Sequence, residues 1–461
     1  MAAVTAERPG KSVISNILRG SLGNLIEWYD FYSYAVFASF IGATFFDKSD
    51  ALTGALNAFF VFGISFLMRP IGSWFFGRIA DRRGRKYALT LSVLMMAFGS
   101  LLMAVSPGYA QIGIWATFLL WFARMVEGFS VGGEYGTTAT YMSEIATPNR
   151  RGFYSSFQYV TLVGGQVVAL IVQIILQHVL SKDDLNSWGW RIPFVIGTLA
   201  ALTVLWLRRG MDESIPQEQV AAAHTHVPAA KIPAEPGTLR LLFTKHWKPF
   251  VIVFGLTAGG TSVFYAYTTL MPTYMKQVAH LAAGTVSTIN FCALVVYMLL
   301  HPVLGILSDR IGRKAMLMVS GVGGVLLTWP ILTSLGSVQN PFAAFGLQLL
   351  GLVIVCFYTS ISAIVKAELF PTSVRALGVG LAYGLANAVF GGSAPYVGTV
   401  FIQAKNADGF IIYLIVLIAI SLSVCIFGLK NKQETPLDRD YGQSYSDATR
   451  PRNKEFSGSP R

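Results

Sequence analysis

Twelve runs of about 20 or more mostly apolar residues follow one another along the chain, near 20–46, 54–80, 87–106, 111–143, 153–179, 190–208, 249–277, 284–307, 315–336, 342–369, 374–403 and 409–430. At about 1.5 Å rise per residue, a helix of that length matches the roughly 30 Å hydrocarbon thickness of a bilayer. Only 13% of the 461 residues are charged, against about 25% in a soluble domain, and 53% are hydrophobic. Most of the surface therefore does not meet water. The chain reads as an all-α integral membrane protein with twelve transmembrane helices.

An even number of crossings puts both termini on one side, and charge says which. Arg8, Lys11 and Arg19 precede the first run. Arg82, Arg83, Arg85 and Lys86 fill the second connector, Arg150 and Arg151 the fourth, and Arg310, Arg313 and Lys314 the eighth. The sixth carries Arg208, Arg209, Lys231, Arg240, Lys245 and Lys248, and the C-terminal tail is basic as well. The alternate connectors hold mainly Lys48, Lys182, Lys276 and Lys405. Excess Lys and Arg mark cytoplasmic loops, so both termini are expected in the cytoplasm of a bacterial inner-membrane protein. The net charge of +12 is thus spent on topology, and with no polar domain to carry a basic surface, nucleic acid is not an expected partner.

The long polar interruption, with Pro216, Pro228, Pro233 and Pro236, reads as a linker. It divides the chain into a tail (1–19), a six-helix bundle (20–208), the linker (209–248), a second six-helix bundle (249–430) and a C-terminal tail (431–461) expected to lack fixed structure. His224 and His226 lie in the linker and read as solvated side chains, not metal ligands. Cys292, Cys356 and Cys425 sit inside apolar runs with no CxxC spacing, as small buried hydrophobes. The first twenty residues show no apolar core with a small-residue cleavage site, so no signal peptide is expected.

The two bundles repeat each other. Gly77-Arg-Ile-Ala-Asp81-Arg82-Arg83-Gly84-Arg85-Lys86 recurs 228 residues later as Gly305-Ile-Leu-Ser-Asp309-Arg310-Ile-Gly312-Arg313-Lys314. Glu144 with Pro148 and Arg151 recurs as Glu368 with Pro371 and Arg375, about 224 residues on. Two parallel six-helix repeats are the arrangement associated with alternating access around a midplane site.

These residues resemble a known family. The duplicated Gly77–Lys86 segment resembles the signature between helices two and three of the major facilitator superfamily, and Arg124-Met-Val-Glu127-Gly128-Phe-Ser-Val-Gly132-Gly133-Glu134 resembles its proton-coupled helix-four motif. Gly23-Asn24-Leu-Ile-Glu27-Trp28-Tyr29-Asp30-Phe31-Tyr32 and Phe66-Leu-Met-Arg69-Pro70-Ile-Gly72 are similar to the metabolite–proton symporter family within it, which carries 2-oxoglutarate, citrate, shikimate, proline and betaine. The resemblance runs from about residue 16 to 430. It implies a monomeric secondary transporter, in contact with lipid, that takes up a proton with a small organic anion. The dicarboxylate 2-oxoglutarate is the foremost expectation, and citrate, shikimate, betaine and proline are alternatives. By the same resemblance, Gly77, Asp81, Arg82, Gly84, Arg85 and Lys86, with Asp309, Arg310 and Arg313 of the second copy, form a gate that stabilises the outward-facing state.

Ionisable groups inside lipid are costly and mark function by default. The first half holds Glu27, Asp30, Arg69, Arg124, Glu127 and Glu134, whereas His301 is the nearest case in the second half. Asp30 and Arg124 each lie about ten residues into their helices, at matching depth, so they are expected to face each other. In sugar–proton members of the superfamily a helix-one Asp and a helix-four Arg are credited with coupling, which implies a coupling set of Asp30, Arg124, Glu127 and Glu27. A structural ion pair remains the competing reading, and Glu127 either relays protons or simply neutralises Arg124. Arg69 has no acidic partner on its own helix, so it pairs with Glu27 or Asp30 or meets the substrate. A guanidinium fork matches a carboxylate, which makes Arg69 and Arg124 candidate anion-binding residues. Tyr265, Tyr383 and Asn387 are expected to supply neutral donors from the second half, with Tyr383 and Asn387 on one helical face. Arg191, beside Trp188 and Trp190, reads as an interfacial anchor or an external gate.

No HExxH, GxSxG or GxxxxGK[ST] pattern occurs, so neither an enzyme, nor a cofactor or metal site, nor an ATP-driven pump is expected. A ligand sensor built on the same fold is the alternative outside transport.

Overall fold

The computed structural model describes residues 10–46, 51–214, 237–430 and 435–439. Among them there is no strand. Twelve long helices are numbered in chain order: α1 (Gly10–Phe45), α2 (Ala51–Arg83), α3 (Arg85–Val105), α4 (Ile114–Ile145), α5 (Pro148–Val179), α6 (Gly189–Arg208), α7 (Trp247–Gln277), α8 (Gly284–Ile311), α9 (Arg313–Ser337), α10 (Pro341–Glu368), α11 (Thr372–Gln403) and α12 (Ala407–Gly428). The ten from α3 to α12 are long and apolar enough to cross a membrane, up to a mean hydropathy of 3.0 in α12. The other two, α1 and α2, are 36 and 33 residues long and carry Glu27, Asp30 and Arg69 in their interiors.

Local chemistry sets the joints. The tight α2–α3 and α8–α9 corners turn on Gly84 and Gly312, with φ of 103° and 92°, a region that glycine enters without steric cost. Pro341 opens α10 behind an Asn340 side chain that accepts from the Phe342 amide, and Asn406 caps α12 by accepting from the Gly409 amide.

Several boundaries differ from expectation. Helix α1 begins at Gly10, ten residues early, so Arg19 is helical and its guanidinium donates to the Gly210 carbonyl. The linker contains a short helix, Leu239–Lys245, and α7 already starts at Trp247. Its proline-rich middle, with His224 and His226, lies outside the described residues. The tail does not wholly lack structure: 436–439 form a helical turn, and Asp438 pairs with Arg151. Partial burial works against ionisation of Asp438, yet hydrogen bonds from Thr435 and Arg151 outweigh it and hold its carboxyl below the usual range.

The two halves meet along two seams, α2 against α11 and α5 against α8, with α4 also packed on α11. Small residues allow the approach. A Cβ on Gly77 would lie 2.7 Å from Leu377 Cα, and one on Gly152 would lie 2.6 Å from the Gly305 carbonyl oxygen.

Three helices of the second half are interrupted within their spans. Helices α7 and α11 each carry a π turn, at Ala266–Leu270 and Asn387–Gly391. Pro272 and Pro395 follow closely, and neither can donate a backbone N–H to the residue four before it, Thr268 or Gly391. The freed Thr268 carbonyl instead accepts from Gln166 Nε2 of α5, at 3.3 Å. Helix α10 breaks at Ser360–Ile361. Such interruptions concentrate at functional sites.

Candidate functional site

Arg69 lies on α2 where that helix meets the second half, and it is 1% exposed. Its guanidinium carbon stands 3.8 Å from the Phe66 ring centroid, 4.6 Å from Phe31 and 5.4 Å from Trp28. Nη1 donates across the interface to the Tyr265 hydroxyl at 3.5 Å, while Nε and Nη2 have no partner among the described residues. The expected pairing with Glu27 or Asp30 does not form. A desolvated guanidinium with two open donors is expensive, because aromatic faces replace only part of its lost hydration.

The neutral donors converge from the opposite wall. Tyr383 stacks on Tyr135 of α4 with centroids 3.4 Å apart and planes 10° apart. Asn387 Nδ2 donates to the Tyr383 hydroxyl at 3.3 Å, and Asn387 Oδ1 accepts from Thr261 at 2.8 Å. Tyr265 packs edge-on against Phe66, joining this wall to the Arg69 cage.

Sequence reasoning missed a cation here. Lys366 of α10 is 1% exposed, its Nζ lies 2.9 Å from the Tyr135 hydroxyl, and the rings of Tyr383, Tyr135 and Tyr358 lie 4.4, 5.0 and 5.8 Å from it. The second half is therefore not devoid of buried ionisable groups. The available signal was a lysine inside an apolar run, three residues from the end of that run.

The charges of the first half form two clusters. Arg124 pairs with Glu127, its neighbour one helical turn on, and not directly with Asp30 as expected; the geometry of a single helix brings Glu127 closer. Asp30 accepts from Ser100 Oγ at 2.5 Å and lies within electrostatic reach of both Glu127 and Arg124. Asp30 and Glu127 thus place two carboxyl groups beside one guanidinium, so each biases the proton affinity of the other. In the second cluster Glu134 turns away from Arg124 and meets Arg208 at 2.5 Å, with Ser92 Oγ donating to it at 2.6 Å. Glu27 lies beside this pair, accepting from Ser130 at 3.3 Å. Arg208 is fully buried, so it is not the loop charge that the connector count made it.

At the face where α1 begins and α12 ends, the duplicated segments bridge the halves in the same way. The Asp81 carboxylate accepts from the Ala376 and Leu377 amides at the start of α11, at 3.0 and 2.9 Å, and from Arg85 at 2.8 Å. Arg85 and Arg375 both reach Glu144, at 3.0 and 2.8 Å. In the second copy Asp309 accepts from the Gly152 and Phe153 amides at 2.8 and 3.0 Å and from Arg313 at 2.9 Å, while Arg313 reaches Glu368 at 3.5 Å. Each carboxylate thus satisfies open N–H groups near a helix start and meets its positive dipole end. Lys86 Nζ donates to the Arg209 carbonyl and Lys314 Nζ to those of Ile426 and Leu429, tying down the ends of α6 and α12. Arg82 is half-buried; Arg310 is exposed at the rim.

Residues 17–223 match the family described as Sugar (and other) transporter, and 264–444 match the Major Facilitator Superfamily. Alpha-ketoglutarate permease of Escherichia coli is 50% identical over 381 residues, 83% of this chain and 85% of that protein. The chain belongs to the major facilitator superfamily. A citrate-proton symporter of Klebsiella pneumoniae is 34% identical over 398 residues, 86% of each chain. Among solved structures, the proton:xylose symporter XylE bound to 6-bromo-6-deoxy-D-glucose superposes with a TM-score of 0.75 at 15% identity, covering 94% of this chain and 99% of that one, which establishes the shared major facilitator fold. The relatives are transporters and not enzymes.

The seam of this major facilitator protein yields a direct expectation. In Gly152→Val the added atoms meet the Gly305 carbonyl and the Asp309–Arg313 pair. Overpacking of that kind costs about 1–3 kcal/mol, so the open form of this face gains roughly tenfold in population. A cysteine placed at buried Ser156 is then labelled about tenfold faster by an impermeant maleimide from that face. Unchanged labelling would show that the seam does not hold the closed state.

Proposed function

We propose that the chain is a proton symporter that carries the dicarboxylate 2-oxoglutarate into the bacterial cell across the inner membrane, with both termini in the cytoplasm. The observation that carries this reading is Arg69, a buried guanidinium at the interface of the halves whose Nε and Nη2 lack partners among the described residues. A carboxylate arriving there satisfies both donors in one planar contact. The name of the 50% identical relative points to 2-oxoglutarate as the anion. Tyr265, Tyr383 and Asn387 supply neutral hydrogen bonds around it, and the carrier works as a monomer.

Coupling falls to Asp30, Glu127 and Arg124, with Glu27 and Glu134 on Arg208 as the adjoining cluster. When a proton carried by Asp30 or Glu127 leaves, two carboxylates face one guanidinium. Arg124 is then held to its own helix; when the proton returns, it is released to favour an anion. The duplicated Asp81 and Asp309 bridges close the cytoplasmic face and favour the outward-facing state. Because the site residues are shut from solvent, the rings that cage Arg69 must part before substrate enters.

The test is uptake of labelled 2-oxoglutarate into proteoliposomes under an imposed pH gradient, then with an uncoupler, alongside citrate, shikimate, betaine and proline. Uptake indifferent to the gradient removes proton coupling, and uptake of betaine without 2-oxoglutarate removes the substrate. Binding with no uptake of any of them makes the protein a sensor. In the same assay Asp30→Asn, which fixes that position in its neutral form, is expected to keep exchange but lose accumulation, about tenfold or more for each lost unit of imposed pH difference. Normal accumulation by that variant excludes Asp30 from coupling.

A further inference from the structure

We propose that Lys366 is the second carboxylate-binding cation of the transport site, holding the end of the substrate that Arg69 does not. The inference rests on the dicarboxylate reading above and adds the residue that makes the site select two carboxylates over one.

A lysine two residues before a helix end ordinarily extends its chain toward the nearest water. Lys366 does the opposite. Helix side chains lean toward the N-terminal end of their helix, and Lys366 follows that lean into the interface between the halves, where its Nζ meets Tyr135 of α4. The nearby carboxylates are engaged elsewhere: Glu368 by Arg313, and Glu144 by Arg85 and Arg375. Among the described residues Lys366 has one hydroxyl and three ring faces, and no counter-charge. Burial on those terms is costly unless an anion from outside the chain completes the site.

The surroundings fit such an anion. Tyr358 places a third phenol beside Lys366, its ring 5.8 Å from Nζ. Tyr383 connects the two cations: Lys366 lies over its ring, Arg69 is within electrostatic reach of it, and the next residue, Gly384, sits against the Arg69 backbone. Arg69 belongs to the first half and Lys366 to the second. A dianion held by both therefore spans the interface, whereas a monocarboxylate leaves one cation bare. The competing explanation is a fixed tie between Lys366 and Tyr135 that has nothing to do with substrate.

Binding to the purified full-length protein separates the two, with 2-oxoglutarate and 2-oxopentanoate as probes, the latter carrying a methyl group in place of the distal carboxylate. Lys366→Gln is expected to weaken 2-oxoglutarate at least about tenfold, the value of one charge-assisted contact, and to leave 2-oxopentanoate unchanged. Lys366→Arg is expected to recover most of the loss. Equal weakening of both probes, or of neither, overturns the proposal and leaves a structural tie. Should the glutamine variant fail to fold, Lys366→Met is measured against the same two probes with the same outcomes. If the unsubstituted protein binds no dicarboxylate at all, the substrate reading itself has failed, and this inference with it.

Discussion

Arg69→Gln is expected to lose 2-oxoglutarate exchange as well as gradient-driven uptake, by at least about 100-fold in affinity. Two charge-assisted hydrogen bonds at about 1.5–3 kcal/mol each disappear together. The position differs from Asp30, where only accumulation suffers, because Arg69 is assigned to the anion and not to the proton. Its aromatic cage argues for keeping the guanidinium plane: Phe66 at 3.8 Å and Phe31 at 4.6 Å accept a flat cation better than a tetrahedral ammonium. Arg69→Lys is accordingly expected to recover little. Equilibrium binding in detergent measures both variants, with the melting midpoint as the check on folding. Tight binding by Arg69→Gln would move the anion site elsewhere.

The second large effect concerns stability. Arg208 donates to the Leu89 carbonyl and to Glu134, and the pair is almost wholly out of solvent. Arg208→Met leaves the Glu134 carboxylate without its cation and close to Glu27, so the fold is expected to lose about 3–5 kcal/mol. Combining it with Glu134→Gln removes the stranded charge and is expected to restore most of that loss, since a buried pair is worth little more than the neutral groups that replace it. Thermal unfolding of the two variants decides this. A single variant that melts normally would show that Glu134 is accommodated without Arg208.

How much of this could be read beforehand follows from what a sequence encodes. The duplicated segments were legible because a tight corner needs Gly84 and Gly312 and a helix start attracts Asp81 and Asp309, requirements that survive as residue identities. The concentration of buried acid in α1 and α4 was legible for a similar reason, since charge inside an apolar run stands out. The direction in which a terminal cation points was not. Arg208 and Lys366 each stand near the end of an apolar run, where a basic residue ordinarily faces the loop, yet both turn into the protein. The partner of Arg124 was misjudged because helix depth places Asp30 opposite it, while the covalent spacing of a single helix places Glu127 closer. The breaks in α7 and α11 had a sequence cause in Pro272 and Pro395, but a proline does not specify the form the break takes.

The two duplicated bridges, alike in sequence, differ in how wet they are. The Asp81 and Arg85 side chains are each 0% exposed, whereas Asp309 and Arg313 are 11% and 19% exposed. Mobile ions weaken an attraction only where they can approach it, within a Debye length of about 8 Å at physiological ionic strength. The α5–α8 seam is therefore softened by rising salt while the α2–α11 seam is insulated from it. A door built this way has a free edge and a hinge edge, and a change in ionic strength loosens the first without unseating the second.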